Sequence, residues 1–456
     1  MTTLAPGFTA ALAARAAGVR YPDLRPEHVE RARHSLLDWL GCTLAGAQEP
    51  AGRIVQAVSV VEGGPPSSTL VGSPYRFGPQ SAALANGTAA HALDYDDSNF
   101  SMFGHPSASV VAATLAVAEA RGLGGEEIVE GLVAGHEVAA RVGLAMGIAH
   151  YLAGWHASGT TGTFAAAAAA GRALGLDGDA MEHALGLAAT QAAGLKVSFG
   201  TMAKPLHCGR AAAGGVLAAL LAEQGFTAGR AAIEGHQGFA ATQTTDFDPE
   251  RGDRELGDRL GIEGVVFKKH ACCGGTHGSI NALQKLVADR AYIAGEVERV
   301  RVLVSRQMFD ICCIPQPATG IEGKFSLRHT SSLVLAGRST GPSGFTDAAV
   351  ADPELLALRT RVEVGESGSA TGQETTVTVW LRDGTELTAQ SDARTPAADD
   401  ELGLEWTVLC RKFVDLAAPV LGTEAADALI DRVKNFETER SVTELLALTR
   451  TSGDDG

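Results

Sequence analysis

The sequence predicts a mainly α protein, a large all-helical domain with a smaller α+β lid domain. Three observations carry this expectation. Apolar residues recur at helical spacing from Phe8 to about Gly264, strand-like alternation is confined to a stretch after Phe267, and helical spacing returns near the C-terminus. The expected boundaries are 1–266 for the helical domain, 267–391 for the α+β lid, and 392–456 for C-terminal helices returning to the helical domain.

In chain order, PEHVERARHSLLDWLGCTLAG is the first well-marked helix, with Pro26 and Glu27 suited to its opening turn. Further helices are read in SASVVAATLAVAEARGLG, EEIVEGLVAGHEVAARVGLAM, GTFAAAAAAGRALGLD, DAMEHALGLAATQAAGL and RAAAGGVLAALLAEQG, separated by glycine-containing loops with no strand between them. Val297 to Ser305 alternates apolar and polar residues over most of its length, as a half-buried strand does. TTVTVWLRDGTELTAQS places two β-prone arms around Asp383-Gly384, a hairpin signal. Asp352 to Leu358 reads as a short helix and SDARTPAADDELG as a linker, after which EWTVLCRKFVDLAAPVL and AADALIDRVKNF are helical again. No internal repeat is present, and TSGDDG is a short polar tail.

The chain has 456 residues, 45% hydrophobic and 20% charged, enough for more than one core. With 55 glycines and only 5% aromatics, its helices are expected to pack closely through small side chains. A net charge of −16, unrelieved by any run of Lys or Arg, argues against a nucleic-acid partner. Seven cysteines do not make a disulfide framework in a chain this long, and the adjacent pairs Cys272–Cys273 and Cys312–Cys313 do not suit mutual bonding, so a reducing cytoplasm is expected. The N-terminus lacks a basic region ahead of its apolar residues, and the apolar runs are alanine-rich and broken by charge. Neither a signal peptide nor a membrane span is read.

Four segments share one design, in which a polar or glycine-rich loop carrying His or Lys runs into a helix of small residues. They are HALDYDDSNFSMFGHPSASVV, GWHASGTTGTFAAAAAAG, KPLHCGRAAAGGVLAALL and FKKHACCGGTHGSINALQKL. Exposed N–H groups and the helix dipole favour carboxylates at such starts, and Lys204, Lys268 and Lys269 add positive charge. Together they suggest a converging anion site. His105, His156, His207, His277 and His329 lie in loop or loop-to-helix texture and are the candidate acids and bases; His28, His34, His136 and His183 sit within helical patterns and read as packing or surface residues. Asp94, Asp96 and Asp97 cluster at a helix end that Asp96 and Asp97 cap and solvate, while Asp94, facing a lysine or histidine, would orient an acid–base group; a metal site is weakly supported without further oxygen ligands. Cys272, Cys273 and His277 lack zinc-site spacing, so no metal is expected, and the glycine runs match no phosphate loop or dinucleotide fingerprint. A nucleophilic Cys273, activated by a helix start and nearby lysines, is a further reading.

ANGTAAHALDYDDSN…HPSASVVAATLAVAEA, GWHASGTTGTFAAAAAAGRALGLD, KPLHCGRAAAGG and KFSLRHTSSLVLAG resemble the MmgE/PrpD family, over nearly the whole chain. That family includes 2-methylcitrate dehydratase, cis-aconitate decarboxylase and iminodisuccinate epimerase. The resemblance implies a helical domain with an α/β lid, a homodimer, a site in the cleft between domains, and no metal or organic cofactor. Carried over by position, it implies catalytic roles for Asp94, His105, His156, Lys204 and His329, and substrate contacts from Ser98, Lys268 and Cys273; His277, from its loop-to-helix segment, is a further substrate-binding candidate. Two positions depart from the pattern. Cys273 falls where decarboxylase-like members have histidine, and His329 where dehydratase- and decarboxylase-like members often have tyrosine.

The expected chemistry is proton transfer next to a carboxylate of a small polycarboxylate, with the developing charge stabilised by lysines, histidines and helix starts. Loss of a β-hydroxyl makes a dehydratase, reprotonation on the other face an epimerase, and loss of CO₂ a decarboxylase. Dehydration is ranked first on family breadth, epimerisation second and decarboxylation third. An inactive binding or scaffold homologue is the non-enzymatic alternative, and the polar residues in every site block argue against it.

Overall fold

The computed structural model describes residues 7–288, 295–312, 314–368, 372, 374–392 and 396–451. Cys313, part of the predicted linker and most of the polar tail therefore lie outside the described residues. By its contacts the chain divides into two compact units. One comprises Met1–Ala92, Asp96–Phe267 and Pro396–Gly456; the other comprises Leu93–Tyr95 and Lys268–Thr395.

The larger unit is helical: α1 (Phe8–Ala17), α2 (Pro26–Gly46), α3 (Pro50–Glu62), α4 (Pro79–Ala92), α5 (Pro106–Arg121), α6 (Gly125–Leu152), α7 (Thr161–Ala173), α8 (Gly178–Ala189) and α9 (Ala203–Glu223), with the Leu402–Leu421 and Thr423–Val433 helices returning to it. Pro26 and Pro106 occupy first turns, where their missing N–H costs nothing. Helix α5 ends at Gly122, whose φ of +65° is the left-handed conformation that glycine adopts freely. Every residue of α7 is buried, and it packs against α5, α6, α8 and α9. Its run of alanines is what a central helix needs when neighbouring backbones approach from all sides. The same logic governs α4 against α9, where a Cβ on Gly209 would stand 2.3 Å from the Leu84 carbonyl oxygen and 2.1 Å from Thr88 Oγ1.

The sequence shows no membrane span, yet α6 and α9 are long and apolar enough to cross a bilayer. Their most apolar windows are 89% and 67% buried inside the protein, so that apolarity serves packing. Helix α6 is kinked at Gly147. The strand-free reading of this region needs one correction. Two-residue ladders join Ser68–Thr69 to Arg76–Phe77 and Ser98–Asn99 to Val265–Val266, pieces too short to leave an alternating pattern.

The smaller unit holds a four-stranded sheet in the order Val362–Glu366, Val297–Val304, Thr375–Leu381, Glu386–Ser391, parallel in its first pair and antiparallel thereafter. A register shift between Val297 and Arg299 explains the imperfect alternation of that strand: Val297, Val300, Val302 and Val304 are all buried. The hairpin turns at Gly384, with φ +88°. The Gly274–Leu286 helix packs on Thr375–Leu381 and Glu386–Ser391 and against the Leu327–Leu335 helix. Leu93–Tyr95 groups with this unit because the Lys268 and Lys324 amines grip it: Lys324 Nζ donates to the Leu93 carbonyl and Lys268 Nζ to the Asp94 carbonyl at 2.9 Å.

Candidate active site

In the helical unit, three of the four loop-to-helix segments deliver side chains to one place. His91 stands on the last turn of α4, His105 immediately precedes α5, His156 lies in the loop before α7, and Lys204 and His207 occupy the first turns of α9. Asp96 receives His91 Nδ1 at 2.8 Å on one carboxylate oxygen and 3.0 Å on the other. The His91 ring is 4.5 Å from the His105 ring and 6.1 Å from the His156 ring, centroid to centroid. His156 and His207 share a hydrogen bond between their Nδ1 atoms at 3.0 Å. Lys204 Nζ lies 5.4 Å from the centroid of Phe199, whose ring meets His156 edge-on.

His105 Nδ1 donates to the Asp97 carbonyl at 2.6 Å, with Ser98 Oγ farther off at 3.4 Å. That bond places the proton on Nδ1 and makes Nε2 the nitrogen for acid–base work. His105 also keeps 14% of its side chain open, against 0% for Asp96. The Asp97 carboxyl points elsewhere. It accepts from Ser107 Oγ at 2.5 Å and Ser107 N at 3.2 Å, and so ties the loop to the first turn of α5.

Burial and like charge set the proton state of the cluster. His156 is held well below the usual imidazole range, first by burial and then by the positive charges of Lys204, His91, His207 and His105. His207 is lowered by burial, then His91 and Lys204. Burial pushes Asp97 up to about 8, and Asp96 and Asp38 raise it further while Ser107 opposes them. His156 and His207 are thus kept neutral beside the buried Lys204 side chain, an arrangement suited to receiving an anion and exchanging a proton with it.

The fourth segment builds a second cluster in the smaller unit. Asp94 adopts a left-handed φ of +51°, which lets its carboxylate and its carbonyl both receive the Lys268 amine, at 2.5 and 2.9 Å. Cys273 caps the Gly274–Leu286 helix, and its N–H donates to the Lys324 carbonyl at 3.0 Å. His277 is buried and lowered well below its ordinary range by burial, then by His270 and Lys268; its Nε2 lies 3.3 Å from the Cys272 carbonyl. The Cys272 thiol is pushed up to about 12 by burial. His329 is fully buried. Its Nε2 donates to the Gly344 carbonyl at 2.9 Å, while its Nδ1 has no hydrogen-bond partner among the described residues. Burial lowers His329 to about 4, so it is a neutral acceptor at pH 7.

Of the residues picked from sequence, His105, His156 and Lys204 thus meet in the helical unit, with Ser98 at the edge. Asp94, Lys268, Cys273, His277 and His329 lie in the smaller one. Sequence reasoning missed His91 and Asp96 as site residues, and held His207 among the candidate acids and bases without carrying it to the site. His91 reads as one more histidine in an alanine-rich helix, and Asp96 as a cap. Only the three-residue offset from Lys204 to His207, one helical turn, signalled that both face the same way. His91, Asp96 and His105 each bring a ligand-type atom within 4.8 Å of the others. The Nδ1 atoms of both rings serve hydrogen bonds, to Asp96 and to a backbone carbonyl, which joins the group into a hydrogen-bonded acid–base cluster.

Comparison with known proteins finds the MmgE/PrpD N-terminal domain matched by residues 10–252 and the MmgE/PrpD C-terminal domain by residues 270–438. Among curated proteins, the chain is 29% identical to cis-aconitate decarboxylase-like protein oryM of Aspergillus oryzae, over 93% of this chain and 94% of that one. It is 30% identical to cis-aconitate decarboxylase of Aspergillus terreus, over 79% of each chain. It is 27% identical to cis-aconitate decarboxylase of Homo sapiens, over 92% of this chain and 90% of that one.

Proposed function

The chain belongs to the MmgE/PrpD family, and from that premise we propose that it is a lyase that removes CO₂ from a small unsaturated polycarboxylate of the cis-aconitate kind, using its own side chains. The observation that carries the reading is the cluster of His91, His105, His156 and His207 around the buried Lys204. The relatives move decarboxylation ahead of the dehydration that the sequence alone ranks first.

In such a decarboxylation the C–C bond to one carboxylate breaks and CO₂ leaves. The released electron pair shifts through the neighbouring double bond, and a proton is added at the far alkene carbon, one for each CO₂ lost. Lys204 holds a carboxylate that stays, since a buried ammonium suits an anion. His105 takes a proton from water at Nε2 and, as the imidazolium, delivers it to the alkene carbon, its ring oriented by the bond from Nδ1 to the Asp97 carbonyl. Burial strengthens both interactions by excluding water.

Dehydration is the second reading, because Cys273 stands where decarboxylase-like relatives are expected to carry histidine. One experiment separates the outcomes. The protein is incubated in D₂O with citrate-like, aconitate-like and amino-dicarboxylate compounds and followed by proton NMR. CO₂ loss from the aconitate-like compound, with deuterium at the former alkene carbon, supports the proposal. Loss or gain of water identifies a dehydratase, and deuterium wash-in alone an epimerase. Binding without turnover of any compound leaves a non-enzymatic homologue.

A further inference from the structure

We infer that His91, held by Asp96, is a positioning residue of this site, an imidazolium–carboxylate pair built into its wall that tunes and orients the imidazoles of His105 and His156. The inference rests on the lyase reading above. Both side chains of the pair are 0% exposed, and both Asp96 oxygens lie within 3.0 Å of His91 Nδ1. A carboxylate at that distance favours the cation. So does the position of His91 on the last turn of α4, where backbone carbonyls point outward.

A buried ion pair is a poor device for stability, because desolvation consumes most of the attraction; an apolar pair would fill the same space at less cost. What the pair supplies is a fixed dipole whose positive end, His91, stands beside the other rings. His91 is 4.5 Å from His105 and 6.1 Å from His156 in ring centroids, and its charge is among the causes that keep His156 and His207 unprotonated. The groups around it are Asp96 and His105 from the loop before α5, His156 from the loop before α7, and Lys204 and His207 from α9. Asp38 of α2 interacts with Asp96, and Asp94 stands two residues away along the chain. Asp96 is thus the acid that fixes His91, while Lys204 and His91 together disfavour a proton on His156.

The test is the pH dependence of kcat/KM in His91→Gln and Asp96→Asn, with the polycarboxylate that the wild type turns over. Removing the charge lets His156 take up a proton more readily, so the acid limb moves to higher pH. A move of about one unit is expected, which makes kcat/KM fall about tenfold at pH values below the wild-type limb and leaves it little changed well above the limb. A uniform fall at every pH, with the limb unmoved, would mean a merely structural role and overturn the inference. A second measurement does not depend on either variant folding. Wild-type protein carrying ¹³C at histidine Cε1 is titrated by NMR, and the His91 ring, assigned through its proximity to the His105 ring, is expected to stay cationic at pH 7.5 while His156 and His207 are neutral. If the His91 ring is neutral there, the inference fails. A wild-type protein inert toward the whole substrate panel refutes the lyase reading instead, and the NMR titration still decides the charge on His91.

Discussion

Lys204 and His207 lie three residues apart on α9, so one helical turn presents an ammonium and an imidazole on the same side. If Lys204 holds a substrate carboxylate, Lys204→Ala should raise KM about tenfold or more, the worth of one charge-assisted hydrogen bond, and lower kcat less. His105→Ala should do the reverse, lowering kcat by about 10²–10⁴-fold with KM little changed. Steady-state kinetics on variants of wild-type circular dichroism checks both, and equal effects on the two parameters would undo the division of roles. His329 is the sharper case. Its tautomer is fixed by Gly344 and its buried Nδ1 lacks a partner among the described residues, which is costly unless that lone pair is used. A ring lowered to about 4 serves at pH 7 as an acceptor, where the sequence suggested an acid as readily. His329→Ala should therefore lower kcat by about 10²–10⁴-fold at unchanged Tm. A lower Tm with near-normal kcat would make it a packing residue. At this scale the sequence was legible where a histidine or lysine stood in a loop beside glycine, as with His105, His156 and Lys204. It was opaque for His91, because nothing local separates a histidine paired with a carboxylate five residues on from one packed in a core.

The elements were more legible than the residues. Helices α2, α5, α7 and α9 follow their apolar and alanine periodicities, and the hairpin at Gly384 follows its Asp-Gly turn. What stayed hidden were the two-residue ladders, including the pairing of Ser98 with Val266, since such pieces are fixed by tertiary contacts alone. The loop from Leu93 to His105 is the element on which the site depends, and Asp97 anchors it to α5 through Ser107. Its proton matters to stability. Asp97 titrates near 8 in the folded protein against an ordinary 3.8, so between those values the native chain keeps a proton that the unfolded chain has released. Stability from this group is therefore fully present below about pH 4 and is lost as pH rises through about 8. Asp97→Asn keeps both hydrogen-bonding positions without the titration. Urea unfolding at pH 5 and pH 9 should show the wild type losing more stability than the variant over that interval. Parallel losses in the two proteins would place the titration elsewhere.

At the scale of the molecule, two features of the sequence pull against each other. The net charge of −16 makes copies of the chain repel, whereas α3 presents Ile54, Val58 and Val61 to water at 53%, 50% and 88% exposure. Those residues fall at helical positions i, i+4 and i+7, so they form one stripe on a helix whose other face is already packed on α4. The resemblance of the sequence to MmgE/PrpD proteins implies a homodimer, and a water-facing apolar stripe is what a second copy would cover. The charge balance was readable from composition. The stripe was not, because periodicity marks α3 as amphipathic without saying whether its apolar side faces the core or another chain. Light scattering at about 0.15 M salt, where exposed charges are screened beyond about 8 Å, should give twice the chain mass of 46.9 kDa. Lower salt should weaken the association, since repulsion between like-charged copies then reaches farther. Val58→Glu with Val61→Glu should return the mass to that of one chain without changing circular dichroism. A single-chain mass for the wild type at micromolar concentration would refute the dimer. A dimer that survives the double substitution would refute α3 as its face, and the Val197 and Met202 side chains, 84% and 45% exposed before α9, would be the next surface to substitute.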